Sequence, residues 1–242
     1  MPDAGNNRPT FPKYDYDEYP KTLAPDDFWG QVRRTVNGSP IGDEQIAMIV
    51  EAVRSGLSFD MSDGLLDVAC GNGALSKEFF ADVATFYGVD SSEYLIQVAK
   101  TNFARPPDFS FDRLSINELF ADSTENHRIT KALCYGSFSY FSHDDASLLI
   151  YKSPIKFPNL SKLYLGNLPD KDRAHKYYLE SDIDNDLLNQ HRSQIGIWRS
   201  KSELIELAVS AGWSCEVRVM ASTFFASHYR FDAILSRPTI RK

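Results

Sequence analysis

Two rhythms of hydrophobic positions alternate along most of this chain. Short apolar runs bounded by small residues are separated by stretches whose apolar positions recur at helical spacing. The first clear run is Leu65-Leu66-Asp67-Val68-Ala69, a buried strand over 64–69 that enters a turn of small residues, Cys70-Gly71-Asn72-Gly73. The same reading predicts a helix over 74–82, a strand over 84–90, a helix over 92–103 and a strand over 109–115. A helical turn at 117–122, a strand over 129–136, a helix from about 143 to 152 and a strand over 160–166 follow. Such alternation builds a parallel sheet with helices on both faces and right-handed crossovers.

The two ends depart from this rhythm. Residues 1–13 are polar and proline-bearing and read as a disordered tail, followed by Tyr14, Tyr16 and Tyr19. Two helices are predicted next, one from Asp26-Asp27 to a stop at Asn37-Gly38 and one from Asp43 to Gly56. Residues 14–60 thus form a helical cap on a domain spanning 61–242. After the fifth strand, residues 169–199 have no period; a 31-residue connection is long enough to suggest a lid or substrate-binding insert. Ser200-Lys201-Ser202-Glu203 is a capping box opening a helix that ends at Gly212. The last two runs, Trp213–Met220 and Tyr229–Leu235, are separated by only about eight residues, too few for a crossover, and should pair as an antiparallel hairpin.

Composition narrows the class. A chain of 242 residues can bury one sizeable α/β core. No run approaches a membrane span and the N-terminus lacks a signal-peptide pattern, so a cytoplasmic protein is expected. Cys70, Cys134 and Cys215 have no metal-ligand spacing and read as free thiols. The formal charge of −7, with no basic block, argues against a nucleic-acid partner. The expected partners are a small-molecule acceptor, no nucleic acid and no membrane, with the chain acting as a monomer or homodimer.

The chemistry concentrates at Asp67-x-x-Cys70-Gly71-x-Gly73. A second strand ends in Asp90, 23 positions after Asp67. Glycines let a backbone approach a ligand closely, and a carboxylate at the tip of the second strand can accept both ribose hydroxyls. The turn is not the G-x-G-x-x-G that cradles a pyrophosphate, so it suits an adenosine without phosphates. This motif resembles the first motif of class I S-adenosylmethionine-dependent methyltransferases. The resemblance implies a seven-stranded, mostly parallel Rossmann-like α/β sheet with a C-terminal antiparallel hairpin, and S-adenosyl-L-methionine as cofactor. Carried over by position, it implies that Asp67, Ala69, Cys70, Gly71 and Gly73 floor the cofactor. Asp90 would hold the ribose, and Ser91 and Leu95 would flank the adenosine. Ser115, Ile116 and Asn117 stand where relatives contact the adenine, although the aspartate many of them carry there is missing. Gly136 lies in the stretch beside the reactive sulfonium, and Tyr16 and Tyr19 would close over the cofactor. Cys70 reads as a small packing residue, not a nucleophile.

The acceptor side is less defined. No Asn/Asp-Pro-Pro-Tyr signature is present, nor a cysteine placed for cytosine methylation, which sets those subclasses aside. His228, in Ala226-Ser227-His228-Tyr229-Arg230, is delivered by the hairpin topology to the ligand edge of the sheet. It is the first candidate general base, against a reading as a turn residue. His143 and Tyr140 are the next candidates. His143-Asp144-Asp145 also reads as the first turn of a helix capped by Ser142. Tyr140, Tyr178, His191, Arg192, Trp198, Tyr229 and Arg230 are candidate acceptor contacts. Asp182, Asp184 and Asp186 lack the Gly and Glu of a calcium loop, so no metal is expected. The function read from these residues is methyl transfer to a small polar acceptor at a hydroxyl: a sugar, sugar nucleotide or secondary metabolite. The alternatives are an N- or macromolecule-directed methyltransferase and a non-catalytic S-adenosylmethionine-binding module.

Overall fold

The structure, a computed structural model, describes residues 16–36, 39–122 and 124–237; the tail over 1–13 and Tyr14 lie outside the described residues. Seven strands form one sheet: β1 (Gly64–Val68), β2 (Thr85–Asp90), β3 (Phe109–Arg113), β4 (Lys131–Tyr135), β5 (Lys162–Pro169), β6 (Ser214–Val219) and β7 (Arg230–Ser236). Their order across the sheet is β3-β2-β1-β4-β5-β7-β6. Strands β1 to β5 pair in parallel, while β7 runs antiparallel to both β5 and β6. Four longer helices accompany them: α1 (Asp43–Leu57), α2 (Glu93–Phe103), α3 (His143–Lys156) and α4 (Lys201–Ser210).

The period-2 pleat sorts neighbouring residues into two cores. Leu65, Phe86, Phe111, Leu133 and Tyr164 face one side, under α1, α2 and part of the 169–199 segment. Leu66, Val89, Ala132, Cys134 and Leu163 face the other, under α3 and α4. Strands buried on both faces explain why these runs are almost continuously apolar. Helix α1 lays Ile46, Ile49, Val50, Val53 and Leu57 directly on the first core. Part of the expected N-terminal cap is therefore a layer of the sandwich itself.

Four elements differ from the sequence reading. The helix expected over 74–82 is a single 3-10 turn, Ser76–Phe79. Its first turn is drawn in by the Ser76 hydroxyl, which donates to Asp67 Oδ2 (2.6 Å), and both Phe79 and Phe80 go inward. The helix expected from Asp26 is one turn, Phe28–Gln31, because the backbone reverses at Arg33 (φ 51°). Helix α3 runs past Pro154 to Lys156. The proline removes the N–H that would pair with the Ile150 carbonyl, and the Trp213 indole N–H takes that carbonyl instead (2.9 Å). Strand β5 continues to Pro169 through an irregularity between Leu165 and Leu168, where Asn167 adopts φ 62°. The Asp232 carboxylate accepts from the Asn167 N–H (2.7 Å), which holds this bulge against β7.

Candidate active site

Beyond the carboxyl ends of β1, β2 and β4 lies a cavity of about 380 Å³. It stands where the strand order reverses between β1 and β4, the place at which open α/β sheets bind ligands. Asp67, Ala69, Cys70 and Gly71 form its floor, and Asp90, Ser91 and Leu95 one side. Ser115, Ile116 and Asn117 form the far end, and Tyr16 comes over from the N-terminal segment.

Asp90 is held by the turn it faces. The Gly71 N–H donates to its Oδ2 (2.8 Å) and the Ser92 N–H to its Oδ1 (2.9 Å). Each oxygen keeps a lone pair for a ribose hydroxyl. Burial pushes its carboxyl above the usual range, while those two N–H bonds pull the other way. Gly71 needs its freedom for another reason than the one expected. It sits at φ 59°, and a Cβ there would meet Val32 Cγ1 at 2.8 Å, so the clash is with the N-terminal segment before any ligand. That segment is anchored from beneath the turn: the buried Asn72 amide donates to Phe28 O (2.8 Å) and Gln31 Oε1 (3.0 Å). Gly73 is absent from the cavity wall, its α-carbon packed against the Phe111 ring. Gly136 and Tyr19 are also off the wall; Arg33 stacks on Tyr19 with 4.8 Å to the ring centroid.

At the far end, Ser115 caps a one-turn helix, Ile116–Leu119, in a capping box with Glu118. Its hydroxyl is thus committed, and Asn117 instead donates to Asp145 Oδ1 (2.9 Å), a second wall residue. Ser142 caps α3 by accepting from the Asp145 N–H.

Arg34 and Tyr135 carry no distinctive spacing of their own in the sequence, the first belonging to a basic pair after Trp29 and the second ending the strand that leads into Gly136. Both line the cavity beside Asp67. The Arg34 guanidinium lies over the Tyr135 and Trp29 rings (5.2 and 5.5 Å to the centroids), and its Nη1 is buried without a hydrogen-bond partner. Asp67, by contrast, is pushed up to about 7 by burial, against the Ser76 bond and the Arg34 charge, with Asp90 adding to the rise.

The acceptor candidates are distributed differently from expectation. Tyr140 is on the wall and donates to Gln194 O (2.9 Å), joining the cavity to the 169–199 segment. From that segment Ser193 reaches the wall, while Tyr178, His191, Arg192 and Trp198 do not. The reason is packing. Trp198, Tyr177, Tyr178 and Tyr229 stack in a cluster with centroids 4.8–6.0 Å apart, and Trp198 and Tyr229 are buried in the first core. His228 is exposed and outside the wall, its ring edge-on to Tyr229 (4.7 Å), although the hairpin does start at the expected edge of the sheet. His143 is the exposed first residue of α3. Tyr229 and Arg230 are buried just behind the wall.

The cavity fits S-adenosylmethionine. Asp90 would meet a ribose, Leu95 and Ile116 would give apolar sides for the adenine, and the Arg34 guanidinium on the same wall would suit an α-carboxylate. When bound, that molecule supplies an electrophilic sulfonium methyl group.

Fold and cavity together define a Rossmann-like domain with a ligand-sized cavity at the reversal of its strand order. Residues 65–152 match the model of a family described as a methyltransferase domain. No curated protein matches the sequence. In fold the chain is similar to one from the complex between the Haloferax volcanii Trm112 methyltransferase activator and a putative methyltransferase (TM-score 0.63, 14% identity, 92% of this chain and 98% of that one). It is also similar to the cyclopropane synthase MmaA2 from Mycobacterium tuberculosis (0.62, 16%, 88% and 79%). A third is magnesium protoporphyrin IX methyltransferase from Synechocystis PCC 6803 with bound S-adenosylhomocysteine (0.57, 15%, 81% and 83%). The match to a methyltransferase domain over residues 65–152 thus falls on the part of the Rossmann-like fold that carries the floor and one side of the cavity. No helix among the described residues is long and apolar enough to cross a membrane.

Proposed function

We propose that this enzyme methylates oxygen on a small hydroxylated acceptor, such as a sugar, a sugar nucleotide or a secondary metabolite. The observation that carries this reading is the wall away from Asp90. There Tyr135, Ser137, Tyr140 and Ser193, four hydroxyl-bearing residues, line one cavity beside the 169–199 segment. Hydroxyl groups of this kind orient a polar ligand through hydrogen bonds that a lipid would leave unmade. The chain's task is then proximity and orientation, with water kept out by the N-terminal segment and the 169–199 segment. Of the three side chains considered for the acceptor's proton, Tyr140 faces the cavity while His143 and His228 do not. Tyr140 is accordingly assigned as the hydrogen-bonding partner of the acceptor hydroxyl.

Labelled-methyl transfer from S-adenosylmethionine to a panel of small hydroxylated compounds, run beside transfer RNA and protein extracts, tests the reading. Label should enter the small-molecule fraction and be lost in Asp90→Ala. Label entering only RNA or protein would replace this reading by the macromolecular one.

A further inference from the structure

The sheet ends on one side in an open strand. Among the described residues β6 pairs only with β7, in an unbroken register from Ser214 opposite Ser236 to Val219 opposite Phe231, and its outer edge has no backbone partner. The other end of the sheet is partly covered, since Arg105 exchanges two backbone hydrogen bonds with Phe109 at the start of β3 (2.9 and 3.0 Å). Strand β6 is of ordinary length and carries no proline, lysine or bulge of the kind that blunts an exposed edge.

Its two faces differ. Cys215 and Val217 pack on the second core beside α4, and the pleat puts Val219 on that same face, where it is 67% exposed. Glu216 and Arg218 face the other way, joined in an ion pair (2.8 Å), and Arg218 also donates to the Ser55 hydroxyl of α1 (3.1 Å). Helix α4 extends the apolar face. Its Ser210 turns toward α3, where the hydroxyl meets that of Tyr151 (2.7 Å). At about 100° per residue, Ile205 and Val209 then stand on the flank of α4 away from α3, the flank that borders β6. They are 38% and 57% exposed.

The run Cys215-Glu216-Val217-Arg218-Val219 is complementary to itself about Val217. Laid antiparallel on a second copy across a two-fold axis at Val217, Glu216 stands opposite Arg218 and Arg218 opposite Glu216, while Cys215 stands opposite Val219 on the apolar face. Both charged cross-strand pairs are then of opposite sign. Centring the pair on Glu216 or on Arg218 would set two like charges opposite each other, so the charges select one register. We propose that β6 is a homodimer interface. Two copies of this chain join by antiparallel pairing of their β6 strands about Val217, and Ile205 and Val209 of the two α4 helices close the apolar face. The interface is isologous, each copy offering the same patch. The cavity lies away from this edge, beyond β1, β2 and β4, so each copy keeps its own.

Sedimentation equilibrium of the full chain from about 1 to 200 μM reads the dimer constant, expected at tens of micromolar or tighter. Glu216→Arg and Arg218→Glu each set like charges opposite one another twice, and each should weaken the dimer at least about tenfold. An equimolar mixture of these two variants has opposite charges in both pairs and should dimerise as the parent does. Val219→Lys, at a side chain already exposed, should weaken the dimer while leaving the Glu216–Arg218 pair in place. Circular dichroism of each variant should match the parent. A parent that stays monomeric at the highest concentration overturns the proposal. So does parent-like dimerisation of Val219→Lys or of either charge variant alone, or a mixture of folded charge variants that remains monomeric.

Discussion

Asp67, buried, and Asp90, half-buried, are two carboxyls that line one cavity, and their surroundings give them different parts. Asp90 accepts from two backbone N–H groups of the loops it joins, so it is aimed before any ligand arrives. Asp90→Ala should weaken S-adenosylmethionine and S-adenosylhomocysteine by about 1.5–3 kcal/mol in calorimetry, through lost charge-assisted bonds to the ribose. Parent-like affinity would misplace the ribose. Asp67 has one hydroxyl donor and a carboxyl raised to about 7. Its folded pKa exceeds its unfolded one, so the folded state binds more protons between pH about 4 and 7 and this group makes stability fall as pH rises through that window. The fall levels off above about 7. Asp67→Asn should flatten that part of the stability–pH curve, by an amount on the order of 4 kcal/mol for a shift of about three units. Denaturant melts of the ligand-free protein at pH 5 and pH 8 decide it: an unchanged slope would mean Asp67 is ionised in the fold.

At the scale of elements, the 169–199 segment differs most from its sequence impression. It is stitched at its ends, where Asp170 and Arg199 form a bridge, and it places Ala174, Leu188, Ile195 and Trp198 in the core. Deleting it would therefore remove part of the core together with part of the cavity wall. Trp198→Ala should cost about 3–5 kcal/mol, as for other buried large aromatics, read from denaturant midpoints. A cost below 1 kcal/mol would contradict this packing. Tyr140→Phe is the milder probe. Releasing Gln194 O should lower kcat/KM for the acceptor about tenfold or more, with cofactor affinity within twofold, since a single lost hydrogen bond near a reacting group is worth about that much. Equal losses in both would place Tyr140 in the cofactor's half of the cavity.

Over the whole molecule, acidic and basic residues are intermixed and the formal charge is −7. Few phosphates could be neutralised, so titration with transfer RNA at physiological salt should give no binding; a tight, steeply salt-dependent shift would reverse that. The alternation of apolar runs and helical periods was enough to specify the layers and the strand sequence, because strands buried on both faces leave no polar register to confuse the pattern. The spacing of Asp67, Gly71 and Asp90 likewise marked three residues that line one cavity, where local turn geometry and strand ends do the positioning. The rest of the wall was not legible in the same way. Arg34 comes from an N-terminal segment folded over the turn, and Ser193 reaches the cavity only because the 169–199 segment packs beside Tyr140. Tyr178, Trp198 and Tyr229, which read as pocket residues by type, turned inward to pack on one another. Local sequence determines strands, caps and backbone turns through short-range sterics and hydrogen bonds. Which long-range side chains share a wall, and which bury one another instead, is decided when the segments pack.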